Sequence, residues 1–366
     1  MPLEQSQLLF TGSYAAADQP GIRAFSFDEA NGELHPLGAY SGLNNPSFVL
    51  AHPNGRWLYA VSEASEQPDG TSGGGVWALQ IETDSSGLIS FAPLNCQPSG
   101  GNGPCHLSLD TNGRWLLVAN YGSGSVSVLP IRNDGSLGPR SGQAQHQGSG
   151  PNPTRQEGPH AHSTIVAPDN RFAIVADLGI DRLAIYRFDA TVGTLTHHGW
   201  GLARPGAGPR HMAFHPGGRL LYVANELDCT VSVYSYDPAT GLLEEQQAFD
   251  TLPPSAPEST VADIHLTAAG DRLLVSSRGH NSLAVFTVDA EGMLHTAAIA
   301  PCGGDWPRNF ALAPSGSFVL VANQYSGTLS LLPLGGATPV GEAVGHTAVA
   351  GISCVQFGSS RRTDSD

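Results

Sequence analysis

An eighteen-residue pattern recurs six times along the chain, and its copies begin at Pro46 (PSFVLAHPNGRWLYAVSE), Pro104 (PCHLSLDTNGRWLLVANY), Ala161 (AHSTIVAPDNRFAIVADL), Pro209 (PRHMAFHPGGRLLYVANE), Val261 (VADIHLTAAGDRLLVSSR) and Pro307 (PRNFALAPSGSFVLVANQ). Each copy reads as an apolar strand, a tight turn and a second apolar strand. The turn centres fall at Gly55, Gly113, Asn170, Gly218, Gly270 and Gly316, 46 to 58 residues apart. A unit of that length with several strands is too small to bury its own apolar faces, so it must stack against copies of itself. The pattern therefore constrains the chain to a propeller of β-blades.

Six hairpins account for six blades, and the two ends supply a seventh. Leu8 to Tyr14 (LLFTGSY) resembles the second strand of a hairpin without its first, and Gly351 to Phe357 (GISCVQF) a first strand without its second. Pairing the two closes the ring and removes the open edges of a linear array. The expected architecture is all-β, a seven-bladed β-propeller over 1–357 whose last blade is closed by the N- and C-terminal strands. Residues 358–366 (GSSRRTDSD) are expected to be a disordered polar tail.

Composition narrows the function. The net charge is -15, so nucleic acid and acidic membrane surfaces are not expected as partners, both of which call for a basic face. The 17 basic residues are all Arg. The absence of Lys from the sequence excludes Schiff-base chemistry and a phosphate-cradling Walker loop. The five cysteines are odd in number and form no C-x-x-C, so reduced thiols are expected rather than disulfides or a zinc site. The first residues, MPLEQSQLLFTGSY, lack the basic start and apolar run of a signal peptide, and a cytoplasmic location is expected.

Antiparallel pairing turns the repeat into geometry. In a hairpin centred on its turn, the residue eight before the centre lies opposite the residue eight after it. The six pairs are Ser47/Glu63, Cys105/Tyr121, His162/Leu178, Arg210/Glu226, Ala262/Arg278 and Arg308/Gln324, all expected at one mouth of the central channel. Half of these twelve are Arg, Glu or His, and three converging arginines in an acidic protein point to a small anionic ligand. The opposite, turn-end face carries His52 and His215 at one repeated turn position, which marks them as turn residues. Pro139 to His160 (PRSGQAQHQGSGPNPTRQEGPH) reads as one long loop entering the third blade from the ligand-side mouth, bringing Arg155, Gln156 and His160 toward the channel.

The segments RQEGPHAHS (Arg155 to Ser163), GPRHMAFHPGGRLLYVANE (Gly208 to Glu226) and SSRGHNSLAVF (Ser276 to Phe286) closely resemble the seven-bladed propeller lactonase family, which includes propeller-type 6-phosphogluconolactonases and fungal carboxy-muconate cycloisomerases. The resemblance extends over essentially the whole chain. It implies a His, an Arg, a Glu and a second Arg as catalytic positions, here His162, Arg210, Glu226 and Arg278. The expected activity is hydrolysis of a sugar lactone, 6-phospho-glucono-1,5-lactone foremost. Carboxy-muconate cyclisation and a non-enzymatic scaffold are the alternatives.

Opening a lactone with water needs a base, donors for the developing oxyanion and a handle on the rest of the substrate. His162, or Glu226 with a pKa raised by the site, is the expected base. Arg210 is expected to hold Glu226 ionised or to donate to the oxyanion, and Arg278 and Arg308 to grip a phosphate or carboxylate. His160, Arg155, His211 and His106, which flank these positions, complete the expected substrate-binding set. No cofactor is expected. Glu63, Glu226 and Asn309 could be drawn as a calcium site, but three nearby arginines would repel a divalent cation, and no metal is expected.

Overall fold

The computed structural model describes residues 6–66, 72–335 and 339–358. Its described strands form seven four-stranded antiparallel sheets arranged as blades. Blades one to six are the six repeats in chain order, and each runs from its inner strand, at the channel, to its outer strand. Blade seven is composite: Ile352–Phe357 is its inner strand and pairs with Ser6–Ser13, followed by Ile22–Asp28 and Glu33–Tyr40. The ring thus closes between the two ends of the chain, as the unpaired terminal half-hairpins require.

The apolar runs of the repeat become the second strands. Trp57–Ser62, Trp115–Asn120 and Phe172–Asp177 are buried along their whole length because a neighbouring blade covers each face. Outer strands such as Leu243–Asp250 alternate between half-buried and exposed residues, with one face toward solvent. Between blades four and five, Tyr222, Val231 and Val233 pack with Ile264, Val275 and Phe286. Full burial of a side chain such as Phe286 contributes about 1.5–3 kcal/mol, a gain no blade can make alone. All six turn centres have the positive φ that a tight turn demands, Asn170 included at 59°. Gly12 is needed for another reason: at the ring seam a Cβ there would lie 2.4 Å from the carbonyl oxygen of Pro46.

Two expectations are corrected. The stretch read as one loop from Pro139 to His160 contains the outer strand of blade two, Gly142–Gln145. Four residues with a single apolar side chain carry too little alternation to be recognised as a strand. Gly358, the first residue of the expected tail, is buried, and its N–H donates to the Leu8 carbonyl at 2.8 Å. Residues 359–366 lie outside the described residues.

Candidate active site at the channel mouth

The inner strands do not follow the simple hairpin register. In blade four Pro209 pairs with Asn225 and His211 with Ala224, so Arg210 is an extra residue in a β-bulge. The same irregularity falls at Cys105, His162 and Arg308, and in blade five Ala262 and Asp263 together face Ser276. A bulge re-aims side chains where it occurs. In blades four and six it lets two consecutive residues of one strand face the channel, so Arg210 and His211, and Arg308 and Asn309, line one cavity together with Ser47, Phe48, Cys105, His162 and Ser353. That cavity is a narrow waist of the channel and leaves about 10 Å³, room for roughly one water. A roomier cleft of about 390 Å³ lies at the turn ends of blades five and six. It lacks the converging charges, and chemistry rather than volume selects the channel.

Glu226 stands at the centre of the upper tier. Its carboxylate receives Arg210 Nε at 2.9 Å, Arg278 Nη2 at 2.9 Å and Arg155 Nη2 at 2.5 Å. Burial alone would raise the pKa of this carboxyl, but Arg278, Arg210 and Arg155 outweigh it and hold it well below the usual carboxylate range. Glu226 therefore cannot be the base with a raised pKa that the sequence suggested, because it is a permanent anion surrounded by guanidiniums. Burial, and then the like charge of Arg278, lowers Arg210 to about 10, and it stays charged at neutral pH.

Arg308 differs from the other three arginines. It has no carboxylate within ion-pair distance among the described residues, and its Nη2 donates to the Tyr14 hydroxyl at 2.7 Å. Tyr14 in turn donates to Glu63 at 2.9 Å, and Ser47 also donates to Glu63. Arg278 is held from a second side by Trp306, whose ring lies 5.5 Å from the guanidinium carbon and stacks on Tyr325 at 4.6 Å. Trp306 has φ of 68°, a strained value for a bulky aromatic, and its N–H is fixed by Asn281 at 2.9 Å. The buried Nε of Arg278 has no protein partner among the described residues.

The long connection after Gly142–Gln145 is pinned rather than loose. His146 pairs with Asp177 at 2.5 Å, and Gln156 Nε2 donates to Leu178 O and Asp181 Oδ1, both at 2.8 Å. Gln156 is thus a buried structural tie and does not reach the channel. His160 also stays out of the cavity: it stacks on Tyr121 at 4.5 Å, with Nδ1 facing the Tyr121 carbonyl at 3.0 Å and Nε2 facing Glu157 at 3.2 Å. In this position it props the Tyr121 ring. Arg155, about one-third exposed, is carried over the mouth to Glu226.

Three histidines descend the channel. The ring centroids of His162 and His106 lie 5.3 and 5.1 Å from that of His211. Burial, reinforced by Arg210 and the other nearby cations, keeps His162 well below its ordinary pKa, and burial with His211 does the same to His106. His211 falls to about 4 through burial and then Arg210, against the pull of Asp263. All three are neutral at neutral pH. Below them Asp263 Oδ2 accepts from Asn309 Nδ2 at 2.6 Å, and Asn309 Oδ1 accepts from Val355 N at 2.7 Å. The three residues of the alternative calcium set are therefore engaged with different partners: Glu63 with Tyr14, Glu226 with arginines, and Asn309 with Asp263. On the far face His52 Nε2 meets the Gly113 carbonyl at 2.9 Å and His215 Nδ1 accepts from Gly217 N at 3.0 Å, as turn residues do.

Tyr14, Asp263 and Trp306 are site residues that the repeat positions did not single out. The third position of the repeat held one signal, since five of its six residues are polar, namely His106, Ser163, His211, Asp263 and Asn309, with Phe48 the exception. That polar cluster on the neighbouring position makes sense once a bulge turns both positions inward.

A seven-bladed ring of four-stranded sheets, whose channel mouth gathers arginines around one buried carboxylate above neutral histidines, defines the class as a seven-bladed β-propeller with a polar channel. Residues 8–357 match the family model described as lactonase, 7-bladed beta-propeller, and the chain belongs to that family. It is 36% identical over 324 residues to the 6-phosphogluconolactonase of Bacillus subtilis, covering 88% of this chain and 89% of that protein. It is 35% identical over 285 residues to that of Pectobacterium carotovorum, covering 76% and 77%. The crystal structure of the periplasmic gluconolactonase of Pseudomonas aeruginosa superposes with a TM-score of 0.87 at 31% identity, over 96% of this chain and 99% of that one.

Proposed function

We propose that this chain hydrolyses a sugar lactone bearing a distal anionic group, with 6-phospho-glucono-1,5-lactone as the substrate and 6-phosphogluconate as the product. The observation that carries the reading is Arg308. Beside three guanidiniums already engaged by Glu226, it is the one whose charge is left for a ligand, and its hydrogen bond to Tyr14 orients it. A phosphate takes up such a guanidinium through charge-assisted hydrogen bonds. The 6-phosphogluconolactonases among the relatives support the same choice.

In this reading Arg210 and Arg278, pre-oriented by Glu226, stabilise the oxyanion that develops at the lactone carbonyl. Glu226 sets their geometry and does not titrate. The proton of the attacking water passes to a neutral channel histidine, His162 or His211. Cys105, Cys229, Cys302 and Cys354 are reduced thiols, which supports a reducing, cytoplasmic setting that cell fractionation would check.

The test is a coupled assay with freshly generated 6-phosphogluconolactone beside unphosphorylated gluconolactone and carboxymuconate, with spontaneous hydrolysis subtracted. The expected result is the highest kcat/KM on the phosphorylated lactone. Preferential turnover of carboxymuconate would make the chain a cycloisomerase, and no turnover above background would leave a scaffold.

A further inference from the structure

We propose that His211 is the proton acceptor of the channel site, fixed in one tautomer by Asp263, with His265 as a positioning residue behind it. The assignment rests on the lactone-hydrolysis reading above. His211 directly follows the bulged Arg210, so the group that accepts the proton and a guanidinium for the oxyanion sit on consecutive residues of one strand. Its Nδ1 lies 2.7 Å from Asp263 Oδ1 on the neighbouring blade. An ionised carboxylate can only accept, so the ring proton sits on Nδ1 and the Nε2 lone pair is left for the channel. Nε2 has no protein partner among the described residues.

The other channel histidines lack this arrangement. His162 Nδ1 faces the Cys105 thiol at 3.9 Å, and no carboxylate orients the ring. His106 Nδ1 accepts from Thr164 N at 3.4 Å, which leaves its proton on Nε2 and makes it a donor toward the channel. Of the three channel histidines, His211 alone has the base-and-orienter geometry that serves nucleophile activation on unrelated folds.

Asp263 is itself immobilised. Besides His211 it receives Asn309 Nδ2 at 2.6 Å, Phe310 N at 3.1 Å and His265 Nε2 at 2.9 Å, so blades four, five and six meet at one carboxylate. The His265 side chain is 38% exposed and lines the groove at the turn-side end of the channel. It balances the Asp263 charge from below and keeps the carboxylate available to orient His211.

The step balances as follows. A water at the waist adds its oxygen to the lactone carbonyl carbon while its proton passes to His211 Nε2. The resulting oxyanion is met by Arg210 and Arg278. On collapse the ring carbon–oxygen bond breaks, the leaving alkoxide takes the proton back from His211, and the new carboxylic acid releases its own proton to solvent. No oxidant, metal or second substrate is consumed.

The experiment compares the full-length wild type with His211→Ala, His211→Gln, His162→Ala, Asp263→Asn and His265→Gln on freshly prepared 6-phosphogluconolactone, with and without added imidazole. Each variant's melting is measured in parallel. His211→Ala is expected to lower kcat by about 10²–10⁴-fold with KM little changed, and imidazole to restore part of it. His211→Gln gives the same loss if the alanine variant is poorly folded. Asp263→Asn and His265→Gln should reduce kcat at temperatures where they remain folded, the first more than the second. A His211→Ala or His211→Gln enzyme with wild-type kcat above background overturns the assignment, as does imidazole rescue of His162→Ala in its place. A wild type inactive on every lactone overturns the hydrolase reading itself, so the two failures are distinguishable.

Discussion

The Nη2 of Arg308 lies 2.7 Å from the hydroxyl of Tyr14, a residue 294 positions away in sequence, and the guanidinium carbon sits 5.2 Å over the Tyr14 ring. The contact joins blade six to the N-terminal strand that closes blade seven. Tyr14→Phe keeps the ring and removes only the hydroxyl, so it separates orientation from packing. KM for the phosphorylated lactone should rise about three- to tenfold, the scale of one hydrogen bond to a charged group, with kcat changed less than about twofold. An unchanged KM would mean that Arg308 orients itself without Tyr14.

Arg308→Ala removes the group proposed to grip the substrate anion. The expected loss in kcat/KM is about tenfold or more on 6-phosphogluconolactone and much smaller on unphosphorylated gluconolactone, because a charge-assisted contact is worth roughly 1.5–3 kcal/mol. Equal losses on both substrates would place Arg308 at the reacting carbonyl instead.

Glu226→Gln should be a stability lesion as well as a kinetic one. The carboxylate is 4% exposed and is the counter-ion of three guanidiniums, and removing one partner of a buried ion cluster costs about 3–5 kcal/mol. The pH dependence follows from the sign of the shifts. Glu226 and Asp263 both have folded pKa values below their unfolded ones, so the stability they contribute is present above the unfolded values, about 4, and is lost as pH falls below them. Denaturant melts of wild type and Glu226→Gln between about pH 2 and pH 8 check this: the variant should start lower at neutral pH and lose less stability as pH falls below about 4. A wild-type melting curve for the variant would contradict the geometry around Glu226.

Activity should survive to unusually low pH for a histidine-dependent hydrolase. The base must be unprotonated, and burial followed by the Arg210 charge brings His211 to about 4, so kcat/KM should stay flat from neutrality to about pH 5 and decline below it. Arg210 from its own strand, His106 and His162 across the channel, and Asp263 and His265 below are the charged or titratable groups that surround it. A descending limb centred between pH 6 and pH 7, measured with the fold intact by circular dichroism, would show a solvent-exposed base.

The blade count, the ring closure and the face bearing the charges were legible because each rests on a period. Six turns with the same glycine or asparagine, and two half-hairpins at the ends, leave little freedom. The bulges were not legible, because the turn-to-turn spacing already varies from 46 to 58 residues and one extra residue in an inner strand is lost in that spread. Their effect is large: Arg210 meets Glu226 from an unpaired position, and His211 turns into the channel beside it. Asp263 was missed because it stands one place after the position chosen for comparison. Tyr14 was missed because it lies outside the repeats and acts through a contact that the folded ring alone creates. Glu226 was misjudged as a base because burial raises a carboxyl's pKa, and only three-dimensional distances reveal that three arginines reverse the effect.

The seam has a consequence in time. During synthesis Tyr14 is made early, but it has nothing to orient until Arg308 follows, and neither is held in place until Ile352–Phe357 has slotted in beside Ser6–Ser13. Blades two to five can form while the chain is still growing, since domains and repeats fold as their segments emerge. A nascent chain can therefore be mostly folded and still unable to hold its ligand's anion, and the same holds in reverse for a mature molecule whose seam has opened.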